Sequence, residues 1–90
     1  MGIALITLKL MPESPDSNLE EIKANSKKII AKGKGKLENI KEEPIAFGLK
    51  AIIISFALDE SLELESIEEA LKKVQNVSSV QVIDMRRAFG

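Results

Sequence analysis

The chain has 90 residues, enough for one domain, and its 14 acidic and 13 basic side chains leave a net charge of −1. It contains no Cys, His, Trp or Tyr, which excludes disulfides, thiolate metal sites and a Cys nucleophile and removes the commonest metal ligand. We therefore predict a single domain over residues 1–90 that is not an enzyme and has no cofactor. The near-zero charge argues against binding of nucleic acid or membrane by the whole protein, and the lack of a transmembrane segment or signal peptide predicts a cytoplasmic location.

The first elements are a strand and a helix. Residues 3–11, IALITLKLM, alternate loosely between two faces and predict a strand that ends at Pro12. Ser17 and Glu20 fit a capping box and predict the start of a helix, which Gly33 ends. The apolar stripe of this helix consists of Leu19, Ile22, Ile29 and Ile30, with Ser26 between them.

The rest of the chain predicts two strands, a second helix and a last strand. Residues 36–43 are highly charged and predict an edge strand, which Pro44 closes. The apolar run over residues 49–58 predicts the most buried strand. A second helix follows, and residues 80–85 predict the last strand. The apolar stripe of the second helix consists of Leu64, Ile67, Ala70, Leu71 and Val74.

The element order predicts an α+β fold of the ferredoxin-like βαββαβ type, with two helices on one face of a four-stranded antiparallel sheet. The predicted core combines the helix stripes with Ala4, Ile6, Leu8, Ile52, Ile54 and Phe56. The other sheet face has no helix to cover it, yet it carries Ile3, Leu5, Leu49, Ala51 and Ile53. Such a face indicates an interface, and a homodimer or a tolerated apolar surface are the alternatives.

Three apparent motifs do not support a catalytic or nucleic-acid site. The segment AKGKGK, residues 31–36, follows a helix and precedes a strand, whereas a phosphate-binding loop needs the reverse order. The adjacent glutamates at residues 20–21, 42–43 and 68–69 are more simply solvated or edge-protecting charges than an acid–base pair. RNA binding on the sheet would need exposed aromatics, and Phe56 is expected in the core.

Two segments remain unexplained by the fold. The loop PIAFG places Phe47 beside Gly48, where water should reach it, and the closing DMRRAFG places Arg86, Arg87 and Phe89 after the last predicted strand. An aromatic is costly to leave in water, and arginine suits contact with phosphate or carboxylate. Both segments therefore indicate surfaces that contact a partner.

These residues carry a resemblance to a known family. The segments LKLMPESPDSNLEEIK, EEPIAFGLKAI and VQVIDMRR resemble the archaeal elongation factor 1-beta family over essentially the whole chain, and PIAFGLKA is the most specific of them. The resemblance implies a ferredoxin-like fold and a guanine nucleotide exchange factor. Its partner would be the GTPase elongation factor 1-alpha, in GDP-bound and nucleotide-free form. Such a factor binds the nucleotide-free GTPase better and therefore weakens GDP binding by the same factor.

The resemblance also implies partner-binding residues. In eukaryotic relatives, the loop matching residues 45–48 carries an aromatic implicated in partner contact, and Phe47 is the matching position. Those relatives carry a lysine near the C-terminus that reaches toward the magnesium and phosphate site of the GTPase. This chain departs there, because it has no terminal lysine and carries an arginine pair after Asp84-Met85. The expected partner contacts are Phe47, Gly48, Arg86, Arg87 and Phe89.

Two other functional classes fit the same fold. A ligand-sensing or dimerisation module is the alternative function, and the uncovered apolar sheet face motivates it. An acylphosphatase-like hydrolase would need a phosphate-binding loop with an arginine after the first strand. The segment MPESPDSN offers acids and prolines there instead.

Overall fold

The computed structural model describes residues 2–89, with side chains for residues 2–87. The strands are β1 (Ile3–Pro12), β2 (Lys36–Pro44), β3 (Lys50–Asp59) and β4 (Val77–Phe89), and the helices are α1 (Leu19–Lys32) and α2 (Leu64–Lys72). All strand pairs are antiparallel, and the sheet order is β2-β3-β1-β4. The predicted ferredoxin-like fold is confirmed. Within the described residues, no helix is long and apolar enough to cross a membrane.

The core lies between the sheet and the two helices, as the strand alternation predicts. The core-cluster residues of β1 and β3 follow a period of two, and each helix contributes one apolar stripe. Ala4 and Leu19 pack against this cluster at its margin. The clustered buried residues are Ile6, Leu8, Leu10, Ile22, Ile30, Ile52, Ile54, Phe56, Leu58, Ile67, Leu71 and Val77.

The N-terminus of α1 corrects the sequence prediction by one residue. The N-cap is Asn18, whose Oδ1 accepts a hydrogen bond from the backbone N–H of Glu21 at 3.1 Å. Ser17 instead closes the preceding turn, because its Oγ accepts from the Ser14 N–H at 3.2 Å. Ser and Asn are both common N-cap residues. Which of the two caps α1 depends on which side chain the preceding turn directs toward the free N–H groups of the helix.

The segment after α1 ends the helix in a Schellman arrangement. The Lys34 N–H donates to the Ala31 carbonyl at 3.0 Å and the Gly35 N–H donates to the Ile30 carbonyl at 2.8 Å. The left-handed residue is Lys34, with φ 67, at the position where glycine is usual. At Gly33, a Cβ would stand 2.7 Å from Ile67 Cγ1, so this glycine allows the close approach of α2. The segment is therefore a helix end and a packing contact.

The apolar residues of the uncovered sheet face are less exposed than predicted. Ala51 and Ile53 are buried, and Ile3 and Leu5 are half-buried. The strand register places Ile53 between Lys41 and Lys9, whose long aliphatic stems can cover it while their charges reach water. The expectation of a bare apolar face is wrong in this respect. Leu49, also assigned to this face, lies outside β3 in the loop before it.

The last strand is longer than predicted. β4 has 13 residues, whereas the sequence predicted a strand over residues 80–85 only. Arg86 pairs in register with Leu5 and Arg87 with Ala4, so both arginines belong to the strand and do not form a tail. In the sheet, this last strand lies beside the first. β4 is therefore one edge of the sheet, and β2 is the other.

Candidate partner-binding site

The loop between β2 and β3 presents Phe47 to solvent. Phe47 adopts a left-handed backbone, with φ 60 and ψ 31, and its side chain is 93% exposed. Gly48 follows with φ 76, so two left-handed residues stand in succession. The loop is closed by hydrogen bonds from the Ile45 N–H to the Leu49 carbonyl at 2.8 Å and from the Leu49 N–H to the Ala46 carbonyl at 3.2 Å. A short, hydrogen-bonded loop thus holds an aromatic ring in water.

An ion-pair network lies at the base of this loop. Lys23 Nζ of α1 donates to Glu42 Oε2 of β2 at 2.6 Å, and Lys50 Nζ of β3 is 4.0 Å from Glu42 Oε1. The hydrogen bond from Lys23 lowers the pKa of Glu42 below its usual 4.5. The same bond raises the pKa of Lys23. Glu42 thus joins a helix and two strands next to the loop, whereas the sequence predicted only edge protection.

Each of the two arginines has a carboxylate partner. Arg86 Nε is 2.9 Å from Asp84 Oδ2, two residues earlier on the same face of β4. Arg87 donates twice to Glu60, from Nε to Oε2 at 2.6 Å and from Nη2 to Oε1 at 3.0 Å. These bonds raise the pKa of Arg87 above its usual value. Both arginines remain largely exposed, so the guanidinium groups are held in place at the surface.

The turn that carries Glu60 is itself fixed. Asp59 Oδ1 accepts hydrogen bonds from the Ser61 N–H at 2.8 Å and from Ser61 Oγ at 2.7 Å. These two bonds lower the pKa of Asp59. The Glu60 N–H donates to the Gly2 carbonyl at 3.0 Å, which ties the turn to the start of the chain. Arg87 is therefore held by an ordered turn on the far side of β1.

The expected contact residues form two separate groups. The β3 end next to Phe47 and Gly48 lies beside the C-terminal end of β1, because Leu10 pairs with Ile52. Arg86, Arg87 and the Phe89 backbone lie at the opposite end, because Phe89 pairs with Ile3. The length of β1 separates the two ends by about 30 Å. This separation follows from the antiparallel arrangement of the strands. Distances along the sequence alone do not show it.

The sequence did not indicate an apolar strip on β4. Val82, Ile83 and Met85 are all substantially exposed, and Met85 reaches 54%. Beside Met85 opens a crevice of about 180 Å³. Its apolar lining consists of Ala4, Ile6, Leu58, Leu62, Leu64 and Met85. The signal that could have found the strip is the apolar content of VQVIDM, residues 80–85, in a strand that the element order places at the sheet edge. Among the described residues, no cluster of three potential metal ligands occurs.

Comparison with known proteins identifies the family. A model of the EF-1 guanine nucleotide exchange domain matches residues 5–88. The chain belongs to this family. Elongation factor 1-beta of Methanosarcina barkeri is 46% identical over 88 residues, covering 97% of this chain and 99% of the relative. Elongation factor 1-beta of Methanobrevibacter smithii is 43% identical, with 97% and 98% coverage. The resemblance stated from the sequence is confirmed, and the role that this family supports is guanine nucleotide exchange in translation elongation.

Solved structures support the fold alone. Ribosomal protein S6 of Thermotoga maritima aligns with a TM-score of 0.66 at 18% identity, covering 97% of this chain and 88% of that one. The ACT domain of the GTP pyrophosphokinase of Chlorobium tepidum aligns with a TM-score of 0.64 at 19% identity, with 88% and 96% coverage. Neither likeness carries functional residues to this chain.

Proposed function

We propose that this chain promotes GDP release from elongation factor 1-alpha, and so its loading with GTP, by non-covalent contact in the cytoplasm. The match of the EF-1 guanine nucleotide exchange domain over residues 5–88 is the observation that carries the proposal. The GTPase would be bound in its GDP-bound and nucleotide-free states, and neither nucleic acid nor membrane takes part in the exchange. No chemical reaction is involved, so a chain without His or Cys is sufficient.

The exchange follows from differential affinity. If the factor binds the nucleotide-free GTPase more tightly than the GDP-bound form, thermodynamic linkage requires that it weaken GDP by the same ratio. Such a factor needs a rigid body with fixed contact groups and needs neither an acid, a base nor a metal. A four-stranded sheet with a closed loop at one end and paired arginines at the other supplies such a body.

Phe47 and Gly48 are the proposed contacts at the loop end. Exposed aromatics in fixed positions are effective anchors at interfaces, because they bury a large area and lose little side-chain entropy on binding. The Phe47 side chain makes almost no use of its apolar surface within the chain, since 93% of it is exposed. Gly48, with φ 76, allows the backbone to leave the loop immediately after the ring.

Arg86, Arg87 and Phe89 are the proposed contacts at the other end. Ion pairs on the surface contribute little net stability, so Arg86 and Arg87 can exchange Asp84 and Glu60 for a carboxylate or phosphate of the GTPase. Arginine can form two parallel hydrogen bonds with such groups. Phe89 is placed here by its register position beside Ile3 alone.

Release of a fluorescent GDP analogue from the cognate GTPase tests the proposal. We expect Phe47→Ala to slow the catalysed release by about 30-fold, since loss of an interface anchor costs about 2 kcal/mol. Leu37→Ala is the control, because Leu37 is a partly exposed apolar residue near the start of β2, at the opposite end of that strand from the loop, and is not a proposed contact. If Phe47→Ala exchanges as fast as wild type, Phe47 is not a partner contact. If wild type does not accelerate release, the proposed function is wrong.

A further inference from the structure

The two edges of the sheet differ in how they are protected against pairing with another strand. β2 carries charges at most of its positions and ends in Pro44, which cannot donate to a ladder. β4 is longer, has 13 residues, and exposes Val82, Ile83 and Met85. Its outer side has no neighbouring strand in the sheet. Register shifts at residues 83 and 88 leave residues 84–87 as the regular part of this edge around Met85. The β4 edge therefore combines a free backbone ladder over residues 84–87 with apolar side chains.

The sequence of this edge is complementary to itself. Asp84 and Arg86 flank Met85 and lie on the uncovered sheet face, with 43% and 76% of their side chains exposed. In an antiparallel pair with a two-fold axis at Met85, Asp84 of one copy lies directly opposite Arg86 of the other, and the reverse holds as well. Directly opposite residues have Cβ atoms about 4.5–5.5 Å apart and attract when their charges are opposite. A single axis thus creates two cross-strand ion pairs.

We propose that β4 is a self-association edge, which pairs antiparallel with β4 of a second copy about an axis at Met85. The two four-stranded sheets then form one continuous sheet. Self-complementary pairing of this kind is the requirement for a two-fold homodimer. The charges on the open face favour a second copy as the occupant. In an antiparallel pair, Asp84 of each copy lies opposite the oppositely charged Arg86 of the other.

The apolar side of β4 supports the same axis. Met85 occupies the helix-side face of the strand, in register with Ile6, and its side chain lines the crevice of about 180 Å³. On the two-fold axis, Met85 of each copy meets Met85 of the other at the mouths of the two crevices. Methionine is flexible enough to fill an irregular gap of this kind.

This inference does not depend on the proposed exchange function, since it rests on the edge itself. Two strands bury less area than a standard interface of about 1,600 Å², so the association is expected to be weak. We therefore expect sedimentation equilibrium of wild type, up to ~1 mM, to show a monomer–dimer equilibrium. Asp84→Arg and Arg86→Asp, each alone, bring like charges together at both cross-strand positions. Each single variant should weaken dimerisation at least about 10-fold.

Mixing the two single variants provides the decisive test. An equimolar mixture of the two single variants restores both cross-strand pairs, because one chain supplies two arginines and the other supplies two aspartates. We expect heterodimers with about wild-type affinity, and the same recovery in the double variant D84R/R86D. The proposal is overturned if wild type is monomeric throughout, if the single variants dimerise like wild type, or if the mixture stays monomeric.

A matched pair of variants tests whether net charge alone causes association. Asp16→Arg and Lys28→Asp make comparable charge changes at exposed positions of the first loop and of α1, away from β4. We expect each to dimerise as wild type does and their mixture to gain no affinity. A gain equal to that of the β4 pair would show that overall charge, and not this edge, drives the association. Thermal unfolding of every variant verifies that the fold is intact.

Discussion

At the scale of single residues, the backbone of Phe47 reduces the stability of the fold and its side chain adds almost none. Left-handed φ and ψ cost an L-residue about 1–2 kcal/mol, and the ring gains almost no burial, with 93% of it exposed. Glycine would avoid the backbone penalty and would lose almost no burial. A residue type that lowers the stability of the free chain indicates a role outside the fold, because strain of this kind clusters at functional sites.

The variant Phe47→Gly tests whether the Phe47 ring serves partner contact or supports the fold. We expect the variant to raise the free energy of unfolding by about 0.5–1 kcal/mol, which is the relief of strain less the entropy that glycine adds to the unfolded chain. It should slow nucleotide release as much as Phe47→Ala does. Lys34→Gly is the control, since Lys34 is also left-handed, with φ 67, and lies in the helix end. It should gain similar stability and keep wild-type exchange. Destabilisation by Phe47→Gly would show that the ring supports the fold.

Ser26 is a second residue that lowers the free energy of unfolding. Its side chain is fully buried on the inner face of α1, and its Oγ has no hydrogen-bond partner among the described residues. A buried hydroxyl without a partner costs about 1–3 kcal/mol. We therefore expect Ser26→Ala to raise the free energy of unfolding by about 1 kcal/mol, measured by urea denaturation. Ser66→Ala, at an exposed site of α2, should show no such gain.

At the scale of elements, the sequence predicts the order and the faces well because both follow from hydrophobic periodicity. Alternation in β1 and β3 and the stripes of both helices identify the core residues. The extent of β4 was missed at both ends, because two serines follow Val77 at its start and Arg86 and Arg87 follow Met85 near its end. An edge strand pairs through its backbone, so the side chains of Arg86 and Arg87 carry no strand signal.

The same limit explains what the sequence missed in the candidate site. Glu42 bonds to Lys23, 19 residues away, and Arg87 to Glu60, 27 residues away. Such pairs depend on how the elements meet, and no local pattern contains them. The exposure of Phe47, in contrast, was predictable from a proline before the loop and a glycine after the ring. Local chemistry therefore predicted the loop but not the ion pairs that surround it.

The Lys23–Glu42 contact gives the junction of α1, β2 and β3 a dependence on pH. The pKa of Glu42 is lowered below 4.5 in the folded chain, so its stabilising effect is present above that pH and is lost as the pH falls through the folded pKa. The pKa of Lys23 is raised above 10.5, so the pair persists through neutral pH. Lowering the pH should therefore weaken this junction through protonation of Glu42, while Lys23 keeps its charge.

Glu42→Gln tests this dependence. At pH 7 we expect a lower urea midpoint than wild type, because the charged hydrogen bond to Lys23 is lost. The difference should shrink as the pH falls below 4.5, where Glu42 of wild type becomes protonated. Glu43→Gln, one residue on and exposed, is the control and should follow wild type at every pH. A difference that stays constant down to about pH 2 would contradict the assignment.

At the scale of the whole molecule, the proposed contacts lie at the two ends of an elongated body. The longest extent of the chain is 42 Å and the other two are 21 and 17 Å. The sheet joins the ends, since β1 pairs with β3 near Phe47 and with β4 near Arg86. A partner that touches both ends must present two surfaces about 30 Å apart, so the strands set the distance between them.

Combining Phe47→Ala with Arg86→Ala tests whether the ends act independently. Sites more than about 7–10 Å apart with no shared partner group contribute additively, within ~0.5 kcal/mol. The fold-reductions in the rate of nucleotide release should therefore multiply, to within about two-fold. Asp84→Ala, measured beside Arg86→Ala, controls for the loss of the pair between these two residues, whose atoms are 2.9 Å apart. A double variant no slower than the slower single variant would mean that both ends serve one shared step. Additive losses would mean that the GTPase is held separately at each end, with the sheet as the rigid spacer between them.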